Sequence, residues 1–180
     1  ELPAAVEEQH KAYSTNTKRM LKRAAKGALV VRPLTDPAPV WELFRNEKAG
    51  EFGHLKAADL ARLHQIMLNA DEQGTLRSFG GYVGDELVAG ATFILNDRTL
   101  LYLKGAVSEE GKEVGGMFSV MDAGISMAIK NGCSFFDFGG SRNEGLAGFN
   151  RKFGATDRKY LFLSHDRLPV WARIARKIKR

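Results

Sequence analysis

Cys133–Phe138, reading CSFFDF, is a short apolar run closed by Gly139-Gly140. A run this brief and continuous suits a central parallel strand, buried on both faces, better than a helix. Asp137 is its anomaly, because a carboxylate inside such a strand is costly unless something pairs or hydrates it. A polar loop, Gly139–Gly145, and a short helix through Phe149 follow, ending at Phe153-Gly154 with Gly154 as C-cap. In open α/β sheets ligands bind at the carboxyl ends of strands, where glycines let the backbone approach. The candidate active site is therefore expected here.

Two motif matches in this stretch fail. Asp137-Phe138-Gly139 spells a kinase DFG, but no Gly-rich loop, strand lysine or HRD loop precedes it. Gly140–Gly145 has the spacing of a phosphate loop, yet Leu146-Ala147 stands where Lys-Ser/Thr is required.

The remainder reads as a mixed α/β chain. Ser14–Thr17 offers N-caps for a helix over Lys18–Lys26, closed by Gly27. Ala28–Leu34 is a strand, and Val40–Lys48 and Ala57–Asp71 are helices. Thr75–Val83, Glu86–Leu95 and Thr99–Val107 form an antiparallel meander, since Gly84-Asp85 and Asn96–Arg98 are hairpin-turn chemistry. Ser108–Val114 leads into a helix from Gly115 to Lys130, with Met117, Val120, Met121, Gly124, Ile125 and Ala128 on one face. A glycine-bearing loop opening a helix after a strand is an anion site in waiting, because first-turn N–H groups lack helical partners. Arg158–Ser164 is expected as a last strand and Leu168–Arg180 as a terminal amphipathic helix.

With 180 residues, one domain over 14–180 is the natural reading, with 1–13 as a ragged terminus or linker. No apolar run approaches a membrane span. The single cysteine rules out an internal disulfide, fits a reducing compartment and points to the cytoplasm. His10, His54, His64 and His165 have no metal-like spacing, so no metal is expected. The formal net charge of +6 is unevenly spread: residues 1–32 carry +4, 33–157 carry −5 and 158–180 carry +7. An anionic partner would meet the basic ends, and tRNA is one candidate.

Phe136-Asp137-Phe138-Gly139-Gly140-Ser141 followed by Phe149-Asn150-Arg151-Lys152-Phe153-Gly154-Ala155 resembles the C-terminal signature of the GNAT superfamily of N-acyltransferases. The match is to the branch with Fem-type peptidoglycan aminoacyl transferases and acetyltransferase-like relatives. Upstream, Asn16–Ala24 resembles that branch's basic helix. The resemblance implies a GNAT-like mixed sheet: an antiparallel meander, then a splayed parallel strand pair, with helices on both faces. It implies transfer from acetyl-CoA or another acyl-CoA to an amine, a small molecule or cell-envelope precursor, by direct attack. Alternatives are an aminoacyl-tRNA-dependent Fem-type transferase, or a non-catalytic binding domain forming half of a twin-GNAT protein.

By this resemblance, Glu144 or a water held by Asp137 takes the amine proton, and backbone N–H around Ala106-Val107 faces the acyl carbonyl. Asn143 bonds the pantetheine arm. Lys112, Gly115 and Gly116 approximate the pyrophosphate loop, although Glu109, Glu110 and Glu113 crowd it with carboxylates. His54, in the loop expected to wall the acceptor site, is a further candidate base. The Fem-type branch often has a reactive-site lysine where Asn150 stands, and Lys152 or Arg151 is the substitute cation.

Overall fold

The structure, a computed structural model, describes residues 1–48, 57–140, 144–159 and 168. It opens with α1 (Val6–Ala12), α2 (Thr15–Lys26), β1 (Leu29–Leu34), α3 (Ala38–Lys48) and α4 (Ala57–Glu72). Three long strands follow, β2 (Leu76–Val83), β3 (Glu86–Asn96) and β4 (Thr99–Val107). Then come α5 (Glu109–Val114), α6 (Gly116–Lys130), β5 (Phe135–Asp137) and α7 (Glu144–Arg151). The strands lie in sequence order, with β1 to β4 antiparallel and β4–β5 parallel. Turn chemistry fixes this meander: Gly84 (φ 58°) and Asp97 (φ 46°) adopt the left-handed conformation that tight hairpins need.

Each sheet face is covered by helices. α6 lies across β2 and β3. Val120, Met121, Ile125 and Ala128 on α6 join Ala89, Ala91, Phe93 and Leu100 in the main core, all at most 2% exposed. Gly124 makes this contact possible, because a Cβ there would stand 2.7 Å from the Phe93 ring. On the other face Trp41 and Phe44 of α3, Met67 of α4 and Ala106 of β4 form a smaller core. Trp41 also stacks on His64, with centroids 4.6 Å apart. This mixed sheet with its parallel β4–β5 pair and two helical layers is the expected architecture.

Several local expectations are corrected. The segment expected to be ragged contains α1, whose neighbour Tyr13 is 3% exposed in the main core. The lead into the long helix is itself a helix, α5, capped by the Ser108 hydroxyl on the Gly111 N–H. β1 keeps the expected extent to within a residue and runs through Pro33, which pairs with Phe79. An edge strand tolerates proline there because its missing N–H is needed only on the unpaired side. The run Cys133–Phe138 gives a strand of only three residues, at the sheet's edge among the described residues, with Phe135 and Asp137 exposed. Its first residues serve the turn instead: the Cys133 N–H donates to Ala128 O, and Ser134 and Phe135 both donate to Arg98 O. The expected last strand and terminal helix lie outside the described residues, except for Arg158, Lys159 and Leu168. Arg158 and Lys159 are not in a strand.

Candidate active site

β4 and β5 run together only from Thr99–Phe135 to Leu101–Asp137. Just beyond, the β3–β4 register shifts, so that Phe93 pairs with Tyr102 and Thr92 with Lys104. Leu103 is thus an extra residue, and such a bulge bends and twists its strand. Past it, Leu103–Val107 keep β3 on one side, while no strand of the described residues pairs with the other side. The Ser108 N–H donates to Val88 O, so by the alternation of an antiparallel ladder the Ala106 groups face Gly90 of β3, and those of Gly105 and Val107 face the side where an extended chain can pair.

The loop after β5 faces this parting. Asp137 is exposed rather than buried, and its Oδ1 accepts the Gly139 N–H at 2.8 Å. This Asx turn fastens the start of the loop, where Gly139 (φ 75°) and Gly140 (φ 71°) take left-handed conformations. Gly139 passes close under β4, since a Cβ there would lie 3.1 Å from Tyr102 O. Tyr102, unremarked in the sequence except as a strand residue, has a hydroxyl pushed up to about 12 by burial. It therefore stays protonated at neutral pH. Its place in β4 at the last pair before the bulge is the signal that marks it.

Aromatic contacts carry the loop into α7. Phe136 packs on Phe93 (5.8 Å) and Phe138 (4.8 Å), Phe138 on Phe153 (6.1 Å), and Phe153 on Phe149 (5.2 Å). Each edge-on pair contributes beyond its buried area. The two segments that carry the sequence signature also meet here. The Thr17 hydroxyl and the Ser14 N–H, at the start of α2, both donate to Lys152 O at 2.8 Å. From α1, Gln9 Nε2 donates to Phe153 O at 2.8 Å. α1 is itself tied to α6 by Asp122, whose Oδ1 accepts the Tyr13 hydroxyl at 2.9 Å and lies 2.8 Å from His10 Nε2. Burial, and then the Asp122 charge, push the Tyr13 hydroxyl far above its ordinary value.

On α7, Glu144 is exposed and paired with Arg151 at 2.8 Å, and Arg151 also reaches Asp157 at 3.1 Å. The hydrogen bond from Arg151, and then its charge, hold the Glu144 carboxyl below the usual carboxylate range. That makes Glu144 a poorer proton acceptor. Lys152 is half-buried at the clasp with α2. Asn150 is 8% exposed, and its Oδ1 has no hydrogen-bond partner. His54 and Asn143 lie outside the described residues.

The turn from β4 to α6 is built differently from the β4–β5 parting. Gly115 (φ 81°) caps α5, and both it and Gly116 are buried. A Cβ at Gly115 would meet Met20 O at 2.9 Å, and one at Gly116 would meet the Ala89 Cβ at 2.8 Å. Gly111 is tighter still, with Val88 O only 2.1 Å from its would-be Cβ. These glycines let α5 close on β3 and α2. Lys112 pairs with Glu109.

A cavity of about 1250 Å³ lies along β5 and α7, lined by Asp137, Gly139, Gly140, Asn150 and Phe153 among others. It touches none of Ala106, Val107, Gly115 or Gly116. Among the described residues, no group of three or more His, Cys, Asp or Glu side chains is placed to hold a metal ion, and no helix is long and apolar enough to cross a membrane.

Comparison with known proteins bears on the fold. No curated protein matches the sequence. An aminoglycoside acetyltransferase from an uncultured soil metagenomic sample, solved with sisomicin, superposes with a TM-score of 0.57 at 16% identity, over 79% of this chain and 97% of that one. FemX gives 0.70 at 15% identity, over 85% of this chain but 57% of FemX. AAC(6')-Iy in complex with CoA gives 0.52 at 16% identity, over 78% and 95%. At these identities the likeness speaks for the fold alone. The profile of the acetyltransferase (GNAT) domain matches residues 11–149, most of the chain, which therefore belongs to that family.

Proposed function

We propose that this acyltransferase moves an acyl group from an acyl-CoA to an amine by direct attack, in the opening between β4 and β5. The observation that carries this reading is the parting of β4 from β5 at the Leu103 bulge, beyond which no strand of the described residues pairs with β4 on the side of the Gly139 turn. An amide-rich pantetheine arm is suited to pair with such an edge as an added strand. The Val107 N–H, which faces away from β3, then stabilises the oxyanion that develops at the thioester carbonyl, while the Ala106 N–H is taken up by β3. As the C–N bond forms and the C–S bond breaks, the Tyr102 hydroxyl, protonated at neutral pH, donates a hydrogen bond to the departing thiolate, which takes its proton from water. The proton leaving the amine passes to water at the exposed Asp137 carboxylate. Asp137 suits this relay better than Glu144, whose basicity Arg151 lowers. The relatives solved with sisomicin and with CoA support an amine acceptor and a CoA donor. The single cysteine supports a reducing compartment, the cytoplasm, as the setting of the reaction.

The test is release of free CoA from acetyl-CoA in the presence of an amine panel, read with a thiol reagent. Cys133 is buried and burial raises its thiol's pKa, so the protein's own background is low. No release with any amine, and no thermal shift with millimolar acetyl-CoA, removes this reading.

A second reading, with aminoacyl-tRNA as donor, draws on α2. Lys18, Arg19, Lys22, Arg23 and Lys26 are all exposed, α2 has no acidic residue, and Lys22, Arg23 and Lys26 have no ion-pair partner among the described residues. The likeness to FemX supports it further. Phosphate contacts of this kind weaken steeply with salt. A gel shift with tRNA that is absent even at low salt sinks it.

A further inference from the structure

We infer that the β4–α6 turn of this chain grips no diphosphate, so that an acyl-CoA donor is held by its pantetheine arm alone. The inference rests on the acyl-CoA reading above and narrows it. Three independent observations bear on the turn, where strand, glycines and helix start would otherwise announce an anion site.

The first is steric. A glycine that admits a phosphate leaves its Cβ position open to the ligand. Here the space beside Gly111, Gly115 and Gly116 is already filled by Val88 O, Met20 O and the Ala89 Cβ. Gly115 and Gly116 are buried by the protein itself. The second is the fate of the donors in α5 and its cap. The Gly111 N–H goes to Ser108 Oγ at 3.1 Å and the Lys112 N–H to Ser108 O at 2.9 Å. The Gly115 N–H goes to the Gly111 and Lys112 carbonyls. The third is charge. Glu109, Glu110 and Glu113 are exposed on α5, and the one cation of that helix, Lys112, is engaged by Glu109. On α5 a diphosphate would meet two further carboxylates, and that helix has no second cation to offset them.

Past the Leu103 bulge, no strand of the described residues pairs with the β4 edge on the β5 side. Pairing there is carried by amide groups, which the pantetheine arm possesses and the nucleotide end does not.

The decisive experiment compares equilibrium binding of CoA and of pantetheine to the full chain, by calorimetry or ligand-observed NMR, at low and high salt. The expected result is equal affinity within about threefold, with CoA binding unweakened as salt screens charge. CoA binding tenfold tighter than pantetheine, and weakening with salt, overturns the inference while leaving the acyl-CoA reading intact. Failure of both ligands at millimolar concentration removes the acyl-CoA reading and the inference with it. The double variant Glu110→Gln, Glu113→Gln changes only exposed side chains and keeps the turn. Its CoA affinity should stay within threefold of the parent. A tenfold gain would place phosphates beside those carboxylates and refute the inference.

Discussion

The two sides of β4's carboxyl end are built on opposite plans. Toward β5 the strand is left open: pairing stops at Leu101, a bulge turns the chain, and Gly139 and Gly140 form a loop held by one Asx bond. Toward α6 it is closed: Gly111, Gly115 and Gly116 are spent on letting α5 touch β3 and α2. Both sides are glycine-bearing turns after a strand, and in sequence they look alike. The difference shows that glycine marks close approach without saying what approaches. At Gly139 it is the Tyr102 carbonyl and at Gly140 nothing lies within 4 Å of a would-be Cβ, whereas at Gly111, Gly115 and Gly116 the protein's own atoms fill the space.

The comparison breaks most readily at the closed side. Gly111→Ala puts a methyl group against a backbone carbonyl that no side-chain rotation relieves. Alanine's better helix propensity, about 1 kcal/mol, does not offset that. We expect a loss of about 3 kcal/mol in urea denaturation, and a melting temperature lower by about 6–12 °C. A loss under about 1 kcal/mol would mean that α5 is not seated as described.

Next in size is the clasp that holds α7 beside the open side. Thr17 is fully buried, and Thr17→Val keeps its shape while deleting the bond to Lys152 O. The expected cost is about 1.5 kcal/mol, with Thr17→Ser recovering most of it. Equal stability of the valine and serine variants would show that packing, not the hydrogen bond, makes the clasp.

At the open side itself, Asp137→Ala removes an exposed hydrogen bond and should cost only about 0.5 kcal/mol. Its larger effect belongs to the ligand: pantetheine affinity should fall as the Gly139 turn loosens. Unchanged affinity with unchanged stability would separate the turn from the site.

The smallest effect is the pH dependence of the Glu144–Arg151 pair. Arg151 depresses the Glu144 carboxyl, so the folded form binds this proton less readily than the unfolded one. The pair's contribution is therefore present above about pH 4.3, the ordinary glutamate value, and is lost as pH falls through the depressed value. Because both groups are exposed, screening keeps it small. Melting temperatures of Glu144→Gln and the parent should differ slightly at pH 7 and converge in acid. A gap that widens in acid reverses the sign and rejects the assignment.

Elements framed by unambiguous end signals were legible in the sequence. Ser14 caps α2 from within the predicted cluster. The hairpins follow Gly84-Asp85 and Asn96–Arg98 to within a residue or two. The apolar face of α6 is the face that packs. What escaped depended on partners distant in the chain. α5 is six residues long and held by the fit of Gly111 against β3, which no local pattern announces. α1 has Val6, Gln9 and Tyr13 at helical spacing, but a buried glutamine reads as polar until Phe153 O is seen to accept from it. Asp137 looked buried because its neighbours are phenylalanines, yet a three-residue edge strand leaves it outside. The basicity of Glu144 could not be read either, since it depends on Arg151 about two turns further along the same face of a helix whose start was not fixed.

The clasp between the start of α2 and the end of α7 has a consequence during synthesis. Thr17 and Lys152 are 135 residues apart. At translation rates of about 5–20 residues per second, roughly 7–27 s separate the emergence of one from that of the other. Through that interval α2 has its cap but not its carbonyl partner, and α1 lacks the backbone that Gln9 holds. The meander can form early from its local hairpins, whereas the layer of α1 and α2 can lock only after α7 has left the ribosome. Nascent chains arrested before Lys152 should therefore show a protease-resistant sheet and a sensitive N-terminal segment, with protection spreading to residues 1–26 once the last turn of α7 is free.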